Sequence, residues 1–499
     1  ADVIGLDVTA DPMTVKTTST VTADVDEQKT LHIDLRSTEV HGSVAERGVT
    51  PADIADLHAY LTTKHLDVAH GFDDAFARVE AHGVRTKSLE KWASPKGSSS
   101  PWSTGTVSAD LVMEGPLNDP DFHGRVDALV KDASFLAGDA RVITDVKVGA
   151  TISHLAPLQK HFAATVAAST PEPILTVLDN LRVRAKVETS ATLDMRFDGS
   201  LAFELSDGEA KWKDARADLN SLTLFDAPEI TVHAAKVVYK NETMRGKVTV
   251  DIPRLDFANL STLQKILPFP DGIAVVGGTA SANAHATIDL ATKTTTGNLD
   301  LLARNIYVRL DKTPIYGNLA LRAKAASKAG GVTDFAGTSL TWARAGGPDA
   351  PTAADPWSAT FTMPVATLTT NVKPVFHAVL KGQATDASPA TIFVSSATGI
   401  PGWVTNAFKM KGLTVSADVV LAPSYIAVRS LDARGDGSFV QAEYSHHGAF
   451  KDGAIYLGTG PLTAAIDLAG GSARLVIFGP QAWFLKDVAK IRANETHLE

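Results

Sequence analysis

Residues 277–290 read G-G-T-A-S-A-N-A-H-A-T-I-D-L. Ala280, Ala282, Ala284, Ala286, Ile288 and Leu290 fall on one side of an extended chain, and Ser281, Asn283, His285, Thr287 and Asp289 on the other. A period of two held this long predicts a long β-strand with one apolar and one wet face. The apolar side is unusual because its first members are all alanine. A sheet packed on a helix or a second sheet normally fills the gap with Val, Ile, Leu or Phe. Alanines leave room for a thinner apolar object, and lipid is one such filling. An Ala-rich face also suits a helix that packs close, so both readings stand at this point.

The same design extends outward from this stretch. Residues 245–257 read R-G-K-V-T-V-D-I-P-R-L-D-F and place Val248 and Val250 together. Residues 297–310 (G-N-L-D-L-L-A-R-N-I-Y-V-R-L) and 317–325 (G-N-L-A-L-R-A-K-A) are further strands. The longest alternation lies upstream: Leu181, Val183, Ala185, Val187, Thr189, Ala191, Leu193, Met195 and Phe197 face Arg182, Arg184, Lys186, Glu188, Ser190, Thr192, Asp194 and Arg196 across the strand. At roughly 3.3 Å per residue such a strand spans about 55 Å, which only a large, curved sheet can use.

Helical signals interrupt the strands. Thr50-Pro51-Ala52-Asp53 has the form of a helix start, followed by Ile54, Leu57 and Leu61, and Phe72, Ala75, Phe76 and Val79 repeat at helical spacing. A helical insert is therefore expected over about 50–82. Short helices are also expected at 155–162 (L-A-P-L-Q-K-H-F), 173–181, 259–267, 374–380 and 402–408, with a final one near 481–491. Loops are expected at 96–104 and 343–356 from their Gly, Ser and Pro content. The expected organisation is 1–104 as N-terminal strands with the helical insert, 105–342 as a β-groove with repeated short helices, and 343–499 as its continuation to the C-terminal strands.

Composition narrows the function classes. An apolar fraction of 44% and a charged fraction of 21% are ordinary for an ordered chain. The net charge of −9 is spread among interspersed acids and bases with no basic block, which argues against nucleic acid as a partner. There is no cysteine, so disulfides and thiolate metal sites are excluded. No run reaches the ~18 apolar residues of a spanning helix. Because the chain starts at Ala1 already in strand-like alternation, it is expected to be a mature or excised fragment whose anchor lies elsewhere.

Catalytic signatures are wanting. Phosphate-binding loops, nucleophile elbows, H-E-x-x-H and EF-hand loops do not occur. His446 and His447 are adjacent strand residues that face opposite sides, and His154 and His161 have no carboxylate at ligand spacing. No catalytic residue, metal or cofactor is assigned, and an enzyme is not expected.

The stretches G-P-L-N-D-P-D-F-H-G-R-V-D-A (115–128), A-S-F (133–135), G-N-L-D-L-L-A-R-N-I-Y and I-Y-G-N-L-A-L, with short L-x-x-L helices before long strands, resemble the repeats of the AsmA-like superfamily of bacterial envelope proteins, of the TamB, YdbH and YhdP type. The resemblance covers most of 105–480 and is one of style, without a diagnostic motif. It implies a mainly β fold: an elongated, twisted, taco-like β-sheet groove of repeating long strands with short amphipathic helices. It further implies phospholipid transport in the periplasm, between inner and outer membranes reached through an anchor or partner proteins, in outer-membrane biogenesis. The residues expected to line such a groove are Leu181, Val183, Ala185, Val187, Ala191, Leu193, Met195, Phe197, Val248, Val250, Ala280, Ala282, Ala284, Ala286, Ile288 and Leu290. The alternative is a structural or assembly protein of the envelope with a packed β-core and no lipid.

Overall fold

The computed structural model describes residues 2–10, 13–44, 49–63, 74–86, 102–137, 140–178, 181–198, 200–220, 222–240, 243–265, 273–310, 313–328, 331–346, 356–370, 374–386, 410–423, 425–447, 450–469 and 474–495. The protein is mainly β, and its strands belong to one 27-stranded antiparallel sheet. Contacts divide the chain into two compact units. The first holds Ala1–Ser221, Ala227–Val250 and Asp289–Ala291; the second holds Leu222–Asp226, Asp251–Ile288 and Thr292–Glu499.

In each unit the rule is simple: each strand pairs antiparallel with the one before and the one after it. Two positions are split in half. His161–Ser169 and Ile174–Leu178 both pair with Ala140–Ala156 and with Leu181–Asp198. Val332–Asp334 and Thr338–Gly346 likewise share a place between Thr313–Lys328 and Ser358–Thr369. The first break falls at Pro171 and Pro173, which cannot donate to a ladder.

Long strands need a way to twist without turning apolar side chains to the wrong face. The chain uses a repeated bulge in which a residue takes a left-handed conformation and one extra residue enters the strand. Gly83, Asp132, Asp207, Asp214, Asn305, Arg344 and Ser430 all have φ between +50° and +63°, each at a register shift. The local sequences are A-H-G-V, V-K-D-A, L-S-D-G, W-K-D-A, A-R-N-I, W-A-R-A and V-R-S-L. Apolar or small residues sit three apart, so the alternation changes phase at the bulge and keeps its side. Four of the bulged N–H groups have side-chain acceptors on the next strand. Gly83 donates to Asp110 Oδ1 at 2.9 Å, Asp132 to Asp145 Oδ1 at 2.8 Å, Asn305 to Asn318 Oδ1 at 2.8 Å, and Ser430 to Glu443 Oε2 at 3.0 Å.

One expectation fails in the N-terminal strands. Residues 49–63 and 76–86 are strands, so the helical insert over about 50–82 is overturned for the described residues; Phe72 lies outside them. Ile54 pairs with Val40 and Leu57 with Ser37, while Ala55 and Asp56 between them are both exposed. The helices expected at 155–162, 173–181 and 374–380 are also strands and turns: Pro157–Lys160 is a tight turn, and Ile174–Leu178 and Val375–Ala384 are strands. At 259–267 the chain forms a short 3-10 turn, Leu260–Lys265, and residues 402–408 lie outside the described residues. Of the expected loops, Trp102–Thr104 already belongs to the strand Trp102–Pro116. Helix α1 (Pro480–Glu495) stands where a helix was expected.

Among the described residues the largest cluster of buried apolar side chains lies near the C-terminus. Leu413, Leu457 and Ile466 are the large apolar side chains sealed most fully among the described residues, in a cluster with Met410, Ala433 and Val440. On the opposite face of the same strands α1 seats Phe484 and Ile491 against Ala454, Tyr456 and Ala465. The carboxylate of Glu443, 2% exposed, ties three pieces together. It accepts from Arg492 of α1 and from the bulged Ser430 N–H, and Arg492 also donates to Ser430 Oγ at 2.9 Å.

Candidate functional site

Residues directly opposite each other on neighbouring strands share a face, so the registers trace each face across the sheet. In the first unit one row runs Val21, Leu35, Ala59, Val79, Met113, Gly124, Ile152, Ala164, Leu193, Leu205, one residue per strand. The next row on the other face runs Thr20, Arg36, His58, Glu80, Val112, Arg125, Thr151, Thr165, Thr192, Ser206. The second unit repeats the arrangement by itself: Leu301, Leu321, Leu340, Phe361, Gly382, Val415, Ala433, Val440, Leu457, Ala464 against Asp300, Arg322, Ser339, Thr362, Lys381, Ser416, Asp432, Gln441, Tyr456, Ala465. Each unit therefore carries a row of apolar residues and glycines ten strands wide, with a mainly polar row on the other face until α1 covers the last strands.

The residues expected to line a groove fall on this plan as follows. Leu181, Val183, Val187, Leu193, Met195 and Phe197 pair with Leu219, Ala217, Trp212, Leu205, Phe203 and Leu201. On the other flank Ala191, Leu193 and Met195 pair with Val166, Ala164 and Phe162, and Ala185 with Ile174. The strand Leu181–Asp198 keeps its phase throughout, because the bulges at Asp207 and Asp214 belong to its partner Ser200–Leu219. The structure thus gathers this whole set on one face. Of the set only Ala185 is buried; Leu181, Val183, Val187, Ala191, Leu193 and Met195 stay half-buried, and Phe197 is 53% exposed.

The alanine stretch divides differently. Ala280 and Ala282 are buried, while Ala284, Ala286, Ile288 and Leu290 are half-buried. Ala280 packs with Ala303 and with Leu260 of the 3-10 turn, joined by Phe257, Leu301, Ile306 and Leu319. At Ala280 the small side chain makes room for the chain's own turn, so the gap there is filled from within. Val248 and Val250 are half-buried on the strand Thr243–Phe257.

The polar face is a lattice of cross-strand ion pairs. His58 Nε2 lies 2.8 Å from Asp34 and Arg78 Nη1 2.9 Å from Glu114. The hydrogen bond from Arg78 holds the Glu80 carboxyl below the usual range, and the one from Lys213 does the same for Glu188. Burial pushes Asp194 up, but His161 and Arg196 outweigh it and leave its carboxyl lowered. His154 and His161 stack at 5.2 Å, and each has a carboxylate of its own, Asp121 at 3.0 Å and Asp194 at 3.2 Å. Sequence spacing missed both partners because they lie 33 residues away, Asp121 in a turn and Asp194 on another strand. Among the described residues no three His, Asp or Glu side chains converge to hold a metal ion. Sequence reasoning also missed the bulge acceptors Asp110, Asp145, Asn318 and Glu443; their signal is the phase break in the alternation of the facing strand.

Fold and face together define a class: an antiparallel sheet protein with a broad apolar face opposed to a charged one. Neither a protein-family model nor a curated protein matches this chain. No helix among the described residues is long and apolar enough to cross a membrane.

Proposed function

We propose that the chain is a segment of a bridge-like lipid-transfer protein that shields phospholipid acyl chains on its apolar sheet face. One observation carries the reading: Leu181, Val183, Val187, Leu193 and Met195 line one face of their strand together with apolar partners on both neighbouring strands, yet they stay half-buried and Phe197 is 53% exposed. Exposing a 16-carbon acyl chain to water costs on the order of 13 kcal/mol at about 0.8 kcal/mol per CH₂. A face that accepts the chain removes that cost while the headgroup stays in water, and no covalent step is needed. The style of the repeats supports placing the protein with the AsmA-like envelope proteins, in the periplasm between inner and outer membranes. The alternative, an assembly protein with a packed core, draws support from residues 410–491, where both faces of the sheet are covered. The purified chain, extracted with organic solvent and analysed by mass spectrometry, is expected to release phospholipid near stoichiometric amount. A lipid-free extract from protein purified without detergent contradicts the proposal.

A further inference from the structure

The C-terminal end of the second unit presents a patch that its own packing leaves unused. Helix α1 is fixed in rotation, because Phe484 and Ile491 enter the cluster with Tyr456 and Arg492 is bound to Glu443. That seating turns the other side of the helix to solvent. Leu485 is 62% exposed there, beside exposed Lys486 and Lys490. The turn that leads into the helix adds Ile477 at 54% and Phe478 at 88% exposure. Leu462, also exposed, begins the strand that pairs with Arg474–Val476. Exposed apolar side chains of this size, on a helix and on the turn leading into it, suit a partner surface.

Charge decides the kind of partner. Among the described side chains the exposed side of α1 carries Lys486 and Lys490 and no acidic residue, whereas Asp487 is half-buried near Asp467 and Asp452. We propose that this patch docks on the surface of an anionic lipid bilayer, with Phe478, Ile477 and Leu485 entering the headgroup boundary. Lys486 and Lys490 then meet the lipid phosphates, their aliphatic stems lying over the apolar contact. The inference does not rest on what the sheet face carries, since a structural protein could dock in the same way.

Co-sedimentation with phosphatidylglycerol vesicles and with phosphatidylcholine vesicles tests it on the intact chain. The wild type is expected to bind the anionic vesicles and to lose binding as salt rises. F478D combined with L485D should weaken binding about tenfold or more, and K486E combined with K490E should weaken it similarly for the anionic vesicles only. All four positions are exposed, so circular dichroism should report unchanged folding. Wild-type protein that ignores both vesicle types, or variants that bind as well as wild type, would overturn the proposal. So would a wild-type dimer, seen by light scattering, that F478D dissociates while vesicle binding is absent.

Discussion

Two leucines on the same kind of face allow a sharp comparison of an open surface with a closed core. Leu457 is 0% exposed, paired with Val440 and Ala464 inside the C-terminal cluster. Leu193 is half-buried, between Ala164 and Leu205. Leu457→Ala removes buried methyl groups and leaves a cavity, at a cost of about 2–5 kcal/mol. Leu193→Ala removes side-chain area that is already partly wet and leaves no enclosed void, at a cost of about 1 kcal/mol. A single melting temperature is poorly defined for a chain of two units, so hydrogen exchange should be followed separately in strands 450–459 and 181–198 on lipid-free protein. At 1.4 kcal/mol per tenfold, Leu457→Ala should speed opening of its strand by about a hundredfold, and Leu193→Ala by about fivefold. Equal accelerations would mean that the face around Leu193 is sealed as tightly as the core, and the open-face account would fail.

Three further outcomes are expected. Ala284→Glu places a carboxylate among small side chains on the apolar side of its strand; lipid transfer between vesicles should fall while thermal stability changes little, and parallel loss of both would favour a packed core. Asp145→Ala removes the acceptor of the bulged Asp132 N–H and should cost about 1–2 kcal/mol, read as faster exchange of that amide; unchanged exchange would show that the bulge needs no acceptor. The Glu188 carboxyl, lowered by its hydrogen bond from Lys213, favours the folded state above its unfolded value, and that contribution fades as pH falls through the lowered one. Lys213→Ala should return the Glu188 titration, followed by carbon-13 NMR, upward toward the ordinary carboxylate range.

How far the sequence carried the fold depends on which residues interrupt its patterns. Residues 181–197 were legible because nothing in that strand breaks the alternation, and its assigned face holds over the whole length. The segment 50–61 reads as a helix because Thr50-Pro51 has the form of a helix start and Ile54, Leu57 and Leu61 recur at helical spacing, whereas the strand is held by pairing with residues 31–44 and 76–86, far away in sequence. A-R-N-I at 303–306 and V-K-D-A at 130–133 carried the correct signal, a basic residue and then Asn or Asp between two apolar ones. Only the register reveals that this tetrad keeps an apolar face in phase. The alanine stretch was half legible. Ala280 and Ala282 are buried, but the residue covering Ala280 is Leu260, which lies in the short helical piece expected before that strand.

The central claim, that the apolar face meets lipid and not another layer of protein, is tested most directly by site-specific photo-crosslinking. A photoreactive amino acid at Val183, Val187, Ala191 or Met195 should form lipid adducts, and one at Arg184, Lys186, Glu188 or Thr192 should form none. Crosslinks to protein alone from the first set, or lipid adducts from both sets alike, would contradict it.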